Sequence, residues 1–178
     1  MKKFYQLLRR NKNKPGSNLI ELLVVVAIIA LLASIVIPGL GFLKQRMVQT
    51  DLNQLHIVCL FLQKQAIYAG RKKSIKFNLE DRAYFYDEQK VELNKNTRFD
   101  FTPGASGPPA KPSGPINSAI TFPKQKIVFY PNGTVSAGTV YLTNQQRKDM
   151  CALTVGVAQV TFIRKYKYQN GSWVYLKG

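Results

Sequence analysis

Hydrophobic positions change their rhythm twice along this chain. Residues 19–37 read LIELLVVVAIIALLASIVI, apolar throughout except for Glu21 and Ser34. A run of that length predicts a helix that is apolar on every side and about long enough to span a bilayer, which takes roughly 20 residues. Past Gly39-Leu40-Gly41 the apolar residues Leu52, Leu55, Cys59, Leu62 and Ala66 recur at spacings of three and four. Lys44, Arg46, Gln49, Gln54, Gln63 and Lys64 fill much of the remaining surface. This is the stripe of an amphipathic helix, continuing to about Tyr68 and closed at Ala69-Gly70. Pro38, beside Gly39 and Gly41, marks an expected helix bend or melted turn.

Beyond Gly70 the period falls to two. Segments 74–79, 83–87, 90–93, 97–101, 120–122, 126–130, 139–143, 151–157, 160–168 and 172–176 read as short strands, rich in β-branched and aromatic residues. Pro131-Asn132-Gly133-Thr134 is a hairpin signal and Asn170-Gly171 a second tight turn. The stretch 103–115, PGASGPPAKPSGP, is too rich in Pro and Gly for regular structure and reads as a surface loop. The expected fold class is α+β: one long N-terminal helix, with a transmembrane half over 17–38 and an amphipathic half over 39–69, packed on an antiparallel β domain over 70–178.

Charge sharpens the reading of the N-terminus. The chain carries 26 Lys and Arg against 9 Asp and Glu, a formal +17. Lys2, Lys3, Arg9, Arg10, Lys12 and Lys14 precede Gly16 with no acid among them, so removing residues 1–16 would leave +11. The positive-inside rule places that basic end in the cytoplasm and the bulk of the chain outside. A secretory signal peptide accounts poorly for the run, which is longer than a usual h-region, with Leu31 and Ala33 a poor cleavage pair. Arg9-Arg10 alone is a weak twin-arginine signal. A plain single-pass anchor leaves Glu21 unexplained, because a carboxylate at full depth costs about 2.5–3.5 kcal/mol.

The stretch Gly16-Ser17-Asn18-Leu19-Ile20-Glu21-Leu22-Leu23-Val24-Val25-Val26-Ala27-Ile28-Ile29 resembles the class III signal of type IV pilins and type II secretion pseudopilins. The resemblance implies that a prepilin peptidase cuts between Gly16 and Ser17, discarding a basic leader of residues 1–16, and methylates the new N-terminus at Ser17. Glu21 then becomes the fifth residue of the mature chain, and Pro38 falls where the family often kinks its helix. Ser17 replaces the usual phenylalanine, and the leader is longer than in many major pilins. In the family's account the amine of a neighbouring subunit neutralises the buried carboxylate; breaking such a pair would leave an isolated charge in lipid.

A second resemblance lies near the C-terminus. Ile127-Val128-Phe129-Tyr130-Pro131-Asn132-Gly133-Thr134, then Gly138-Thr139-Val140-Tyr141-Leu142, then Ala152-Leu153-Thr154-Val155 are similar to the closing part of the GspH/FimT-type minor pseudopilins. This implies a minor subunit of a type II secretion system. It would be held first in the inner membrane, with its C-terminal domain in the periplasm. It would then assemble with other pseudopilins at or near the tip of a periplasmic pseudopilus, helping to initiate it for protein export. An inner-membrane assembly platform and a cytoplasmic ATPase are the implied indirect partners, and no cofactor is implied. The alternative is a FimT-like minor type IV pilin serving pilus biogenesis, adhesion or DNA uptake. A third reading, a monomeric anchored binding protein, is separated from both by whether the peptidase processes it.

No catalytic residue or metal site is expected, and the chain does not read as an enzyme. His56 is the only histidine, which excludes paired-histidine chemistry and multi-histidine metal sites, and it sits at the edge of the helical stripe. Glu80, Asp81, Asp87, Glu88 and Glu92 fall at strand ends and turns, where charges are ordinarily solvated. There is no glycine-rich phosphate loop and no nucleophile elbow. Cys59 on the stripe and Cys151, in phase with Leu153, Val155 and Val157, should face one core. A disulfide between them in an oxidising compartment and a pair of buried free thiols are both compatible with that. Basic clusters occur at Arg71-Lys72-Lys73 and at Arg164-Lys165-Tyr166-Lys167-Tyr168, where Arg164, Lys165 and Lys167 are the candidate nucleic-acid contacts. Against that reading, Tyr166 and Tyr168 would share one face of a strand and Lys165 and Lys167 the other, the alternation of an ordinary half-buried strand. The C-terminal glycine–arginine-x-arginine motif of DNA-binding FimT proteins is also absent.

Overall fold

The structure, a computed structural model, describes residues 15–157 and 160–177; within the helix, the side chains of 15–18, 33 and 35–46 are not described. The chain divides into two compact units, Met1–Phe42 and Leu43–Gly178. Of the leader expected over 1–16, residues 1–14 lie outside the described part. The first described element is α1 (Pro15–Tyr68). The backbone is helical without a break through Pro38, Gly39 and Gly41, so of the bend or melted turn expected there the melted turn is not present. In the first unit the described side chains, 19–32 and 34, are exposed. Among the described residues no helix is long and apolar enough to cross a membrane; the remainder of the span expected over 17–38 lies outside the described side chains.

In the second unit, α1 presents Val48, Leu52, Leu55, Cys59, Leu62 and Ala66, all fully buried, which is the expected stripe continued one turn upstream. The helix closes as its sequence dictates. Ala69 N–H donates to Gln65 O at 2.9 Å, and Gly70 takes the left-handed conformation at φ 60° that a β-carbon would strain.

Nine strands follow in chain order: β1 (Lys73–Asn78), β2 (Ala83–Tyr86), β3 (Gln89–Glu92), β4 (Thr97–Phe99), β5 (Lys126–Phe129), β6 (Gly138–Asn144), β7 (Met150–Val155), β8 (Arg164–Gln169) and β9 (Ser172–Leu176). They form two sheets, one ordered β3-β2-β1-β5 and the other β4-β6-β7-β8-β9, with every paired neighbour antiparallel. The α+β class with antiparallel sheets is therefore as the periodicity predicts.

One core joins the three layers. The helical stripe packs with Ile75, Phe77 and Tyr84 of the first sheet and with Val140, Leu142, Cys151 and Leu153 of the second. A buried polar contact locks the arrangement: Gln63 Nε2 donates to the carbonyls of Gly133 at 2.6 Å and Thr161 at 2.7 Å. Two backbone acceptors that would otherwise be costly to bury are thus satisfied from the helix.

Three segments depart from the sequence reading. Pro131-Asn132-Gly133-Thr134 does make a tight turn, with Tyr130 N–H donating to Thr134 O at 2.9 Å. It does not join two paired strands, however: β5 pairs with β1 whereas β6 pairs with β4 and β7, so the turn hands the chain from one sheet to the other. Val135 marks the crossing with isolated bridges to Phe129 on one side and Val160 on the other. The strand expected over 120–122 is reduced to a single bridge, Ile120 to Val140, and that expected over 160–168 becomes regular only from Arg164. Finally, the Pro- and Gly-rich stretch is not a bare surface loop. Ala105 and Ile116 pack, with Phe101, against Tyr141, Met150, Ala152 and Trp173 on the outer face of the second sheet, and Trp173 Nε1 donates to Ser106 O at 2.9 Å. That cover explains why every residue of β7 is buried, on both faces.

Candidate functional site

The residues expected to carry function fall in three places. The first is the apolar part of α1. Eleven large aliphatic side chains between Leu19 and Leu32 are each 48–68% exposed. Fully covering such a side chain is worth about 1.5–3 kcal/mol, so the set represents on the order of 15–30 kcal/mol of unrealised burial. That exceeds several-fold the few kcal/mol that one carboxylate costs at depth. Covering this surface is therefore favourable even with Glu21 included. Ser34 needs nothing from outside, because its hydroxyl donates to Leu31 O at 2.7 Å within the helix. Glu21 is exposed and, among the described residues, has no hydrogen-bond or ion-pair partner, so a covered helix must bring one to it. Gly16, Ser17 and Pro38 lie on helical backbone, and the side-chain surroundings expected of them fall outside the described residues.

The second place is β8 with β9. The Asn170-Gly171 turn joins them as expected, both residues at positive φ (49° and 79°), the backbone of the hairpin turn that matches strand twist. Cross-strand aromatic pairs stiffen this hairpin: Tyr166 opposes Tyr175 with ring centroids 5.6 Å apart, and Tyr168 opposes Trp173 at 5.0 Å. The expected alternation holds, but the face turned to the helix is the one carrying lysine. Lys165 is buried, only 8% exposed, opposite Leu153, and its Nζ donates to Asn53 Oδ1 on α1 at 2.8 Å. Lys167 is half-buried opposite Cys151, while Arg164 is exposed with its guanidinium 4.5 Å from the Phe162 ring centroid. The three candidate nucleic-acid contacts therefore do not form one exposed basic row. The other basic cluster is partly engaged too: Lys73 pairs with Asp87 at 2.7 Å, and Lys72 lies over the Tyr130 ring.

The third place is the core pair of cysteines. Cys59 and Cys151 are both buried in the same cluster, as their phases imply, but as free thiols, so the disulfide is not formed. Burial raises both thiol pKa values, that of Cys151 to about 12, which keeps the nucleophilic thiolate scarce at neutral pH.

Sequence reasoning missed how the helix edge is used. Asn53 and His56 sit one turn apart beside the stripe. His56 is half-buried, and desolvation, then the neighbouring Lys165 charge, lower its pKa, opposed by a hydrogen bond to the Ile163 backbone. Polar residues spaced by three beside an apolar stripe were the available signal, though they do not say which strand they meet.

No family model and no curated protein matches this chain. One solved structure is similar to it, that of the minor pseudopilin EpsH from the type 2 secretion system of Vibrio cholerae. The two are 13% identical with a TM-score of 0.44, over 73% of this chain and 96% of the other.

Proposed function

We propose that this chain is a minor pseudopilin of a type II secretion system, a non-enzymatic subunit that enters a periplasmic filament through its N-terminal helix. The observation that carries the reading is the exposed apolar surface of residues 19–32, interrupted by the single carboxylate of Glu21, which has no partner among the described residues. A lipid bilayer would cover that surface before assembly, and the helices of neighbouring subunits would cover it afterwards. The carboxylate lies at the fifth position after the expected cut between Gly16 and Ser17, within reach of the new amine of an adjoining subunit. Pairing there would convert a destabilising residue into one that fixes how far one subunit is displaced along its neighbour. Prepilin peptidase, other pseudopilins, the assembly platform and its ATPase would be the partners.

The test is co-expression of the full chain with a prepilin peptidase and the remaining pseudopilins. Intact mass should fall by the mass of residues 1–16 and rise by one methyl group. Glu21→Val should be processed normally yet be at least about tenfold depleted from sheared filaments, as expected when a buried ionic partner is lost. An unprocessed chain, or a Glu21→Val variant recovered at native levels, would overturn the proposal.

A further inference from the structure

Between the helix and the last strand of the second sheet lies an open groove of about 800 Å³. Its helical wall carries Asn53, His56, Ile57 and Leu60; its other wall carries Lys165, Tyr175 and Leu176. Three features of it point the same way. The first is charge: among the described residues no carboxylate lines it, while Lys165 and Lys177 both do. Lys165 is more than nine-tenths buried, and the only acceptor found for its ammonium group among the described residues is the neutral Asn53 Oδ1. A buried cation held by one amide oxygen is under-compensated.

The second feature is an open hydrogen-bonding edge. Strand β9 ends the sheet order, so one side of its backbone has no partner strand among the described residues. Such an edge accepts an added strand. The third is apolar surface beside that edge: Ile57 is 65% exposed and Leu60 39%. An edge strand, an apolar wall and one buried cation together form a receptor for an extended polypeptide bearing a carboxylate.

We propose that the groove docks an extended acidic segment of a partner protein, which pairs with the free edge of β9 and sets one Asp or Glu carboxylate against Lys165 Nζ. A nucleic-acid backbone fits less well. It needs a row of exposed cations at phosphate spacing, whereas this groove has one recessed charge, Lys165, and one exposed charge, Lys177, beside an apolar wall. The inference stands apart from the filament reading, since it concerns only the folded unit from Leu43 onward.

Because His56 is the only histidine in the sequence, it reports on this groove without ambiguity. The full chain, in neutral detergent and isotopically labelled at histidine and along the backbone, is titrated by NMR with a short peptide alternating valine and glutamate. Parallel titrations use the glutamine counterpart, free acetate and single-stranded DNA. Saturable shifts of the His56 ring and of the β9 amides with the glutamate peptide are expected. Affinity should be at least about tenfold weaker for the glutamine peptide and for Lys165→Met, as befits loss of a charge-assisted hydrogen bond. A thermal melt confirms that Lys165→Met remains folded; if it does not, the glutamine peptide on the native chain decides alone. Equal binding of both peptides, no shift with any peptide, the same shifts produced by acetate alone, or stronger binding of DNA at the same resonances would each overturn the proposal.

Discussion

At His56 two effects push in one direction. Burial disfavours the charged imidazolium, and the Lys165 ammonium repels it, so the folded-state pKa lies below the ordinary value of about 6.5. In acid the unfolded chain takes up this proton before the folded one does. The contribution is therefore fully present above pH 6.5 and is lost as pH falls through the folded pKa. Thermal melts should show stability declining below about pH 6.5, with a smaller decline in His56→Gln; identical pH profiles would contradict this account. Lys165 itself was legible only in part. Alternation along β8 assigned it correctly to the face opposite Tyr166 and Tyr168, but lysine and tyrosine both carry a long apolar body with a polar tip. The strand alone does not say which of the two faces turns inward; in the fold it is the lysine face, where Lys165 meets Asn53 of the helix. Gly138 shows the reverse limit. A β-carbon there would lie 2.5 Å from Phe122 Cδ1, a close approach that makes glycine necessary and that nothing in the local sequence announces.

Among the elements, strands with strict alternation were placed to within a residue or two, and so was the end of α1, where stripe and Gly70 agree. What escaped was set by partners distant in sequence. Residues 120–122 have a strand's composition yet make one bridge, Ile120 to Val140, beside the part of β6 that β4 does not reach. The cover over Tyr141 escaped because a Pro- and Gly-rich segment has no period, and its few apolar residues gain meaning only from the sheet beneath them. The β2–β3 hairpin is a third case. Tyr86 pairs with Gln89, so the turn is Asp87-Glu88, with φ of 41° and 67°. Glycine or asparagine usually occupies such positions, and here a Lys73–Asp87 ion pair accompanies the left-handed backbone instead. Glu88→Gly should relieve the strained position and stabilise the fold by roughly 0.5–1 kcal/mol, measured by denaturant unfolding; a destabilisation of that size would show that the Glu88 side chain makes a contribution of its own.

For the molecule as a whole, the strand orders interleave. Strand β5 returns to β1 in the first sheet, whereas β4, which precedes it in the chain, waits for β6 in the second. A protein ending at Asn144 would contain every strand of the first sheet, yet its β6 would lack β7 along one side and the core would lack Cys151, Leu153 and Val155. In limited proteolysis that truncated chain should be cut readily between residues 97 and 144, where the full chain resists. Comparable resistance of the two would mean that the second sheet is not needed to hold β4 and β6. The crossover at Val135 also bears on the chain's own production. When residues leave the ribosome in order, β4 emerges well before the strand it must meet, and it stays uncommitted until residue 144 has appeared. Throughout that interval the apolar helix is already complete, so its uncovered surface is on offer before the body behind it has folded.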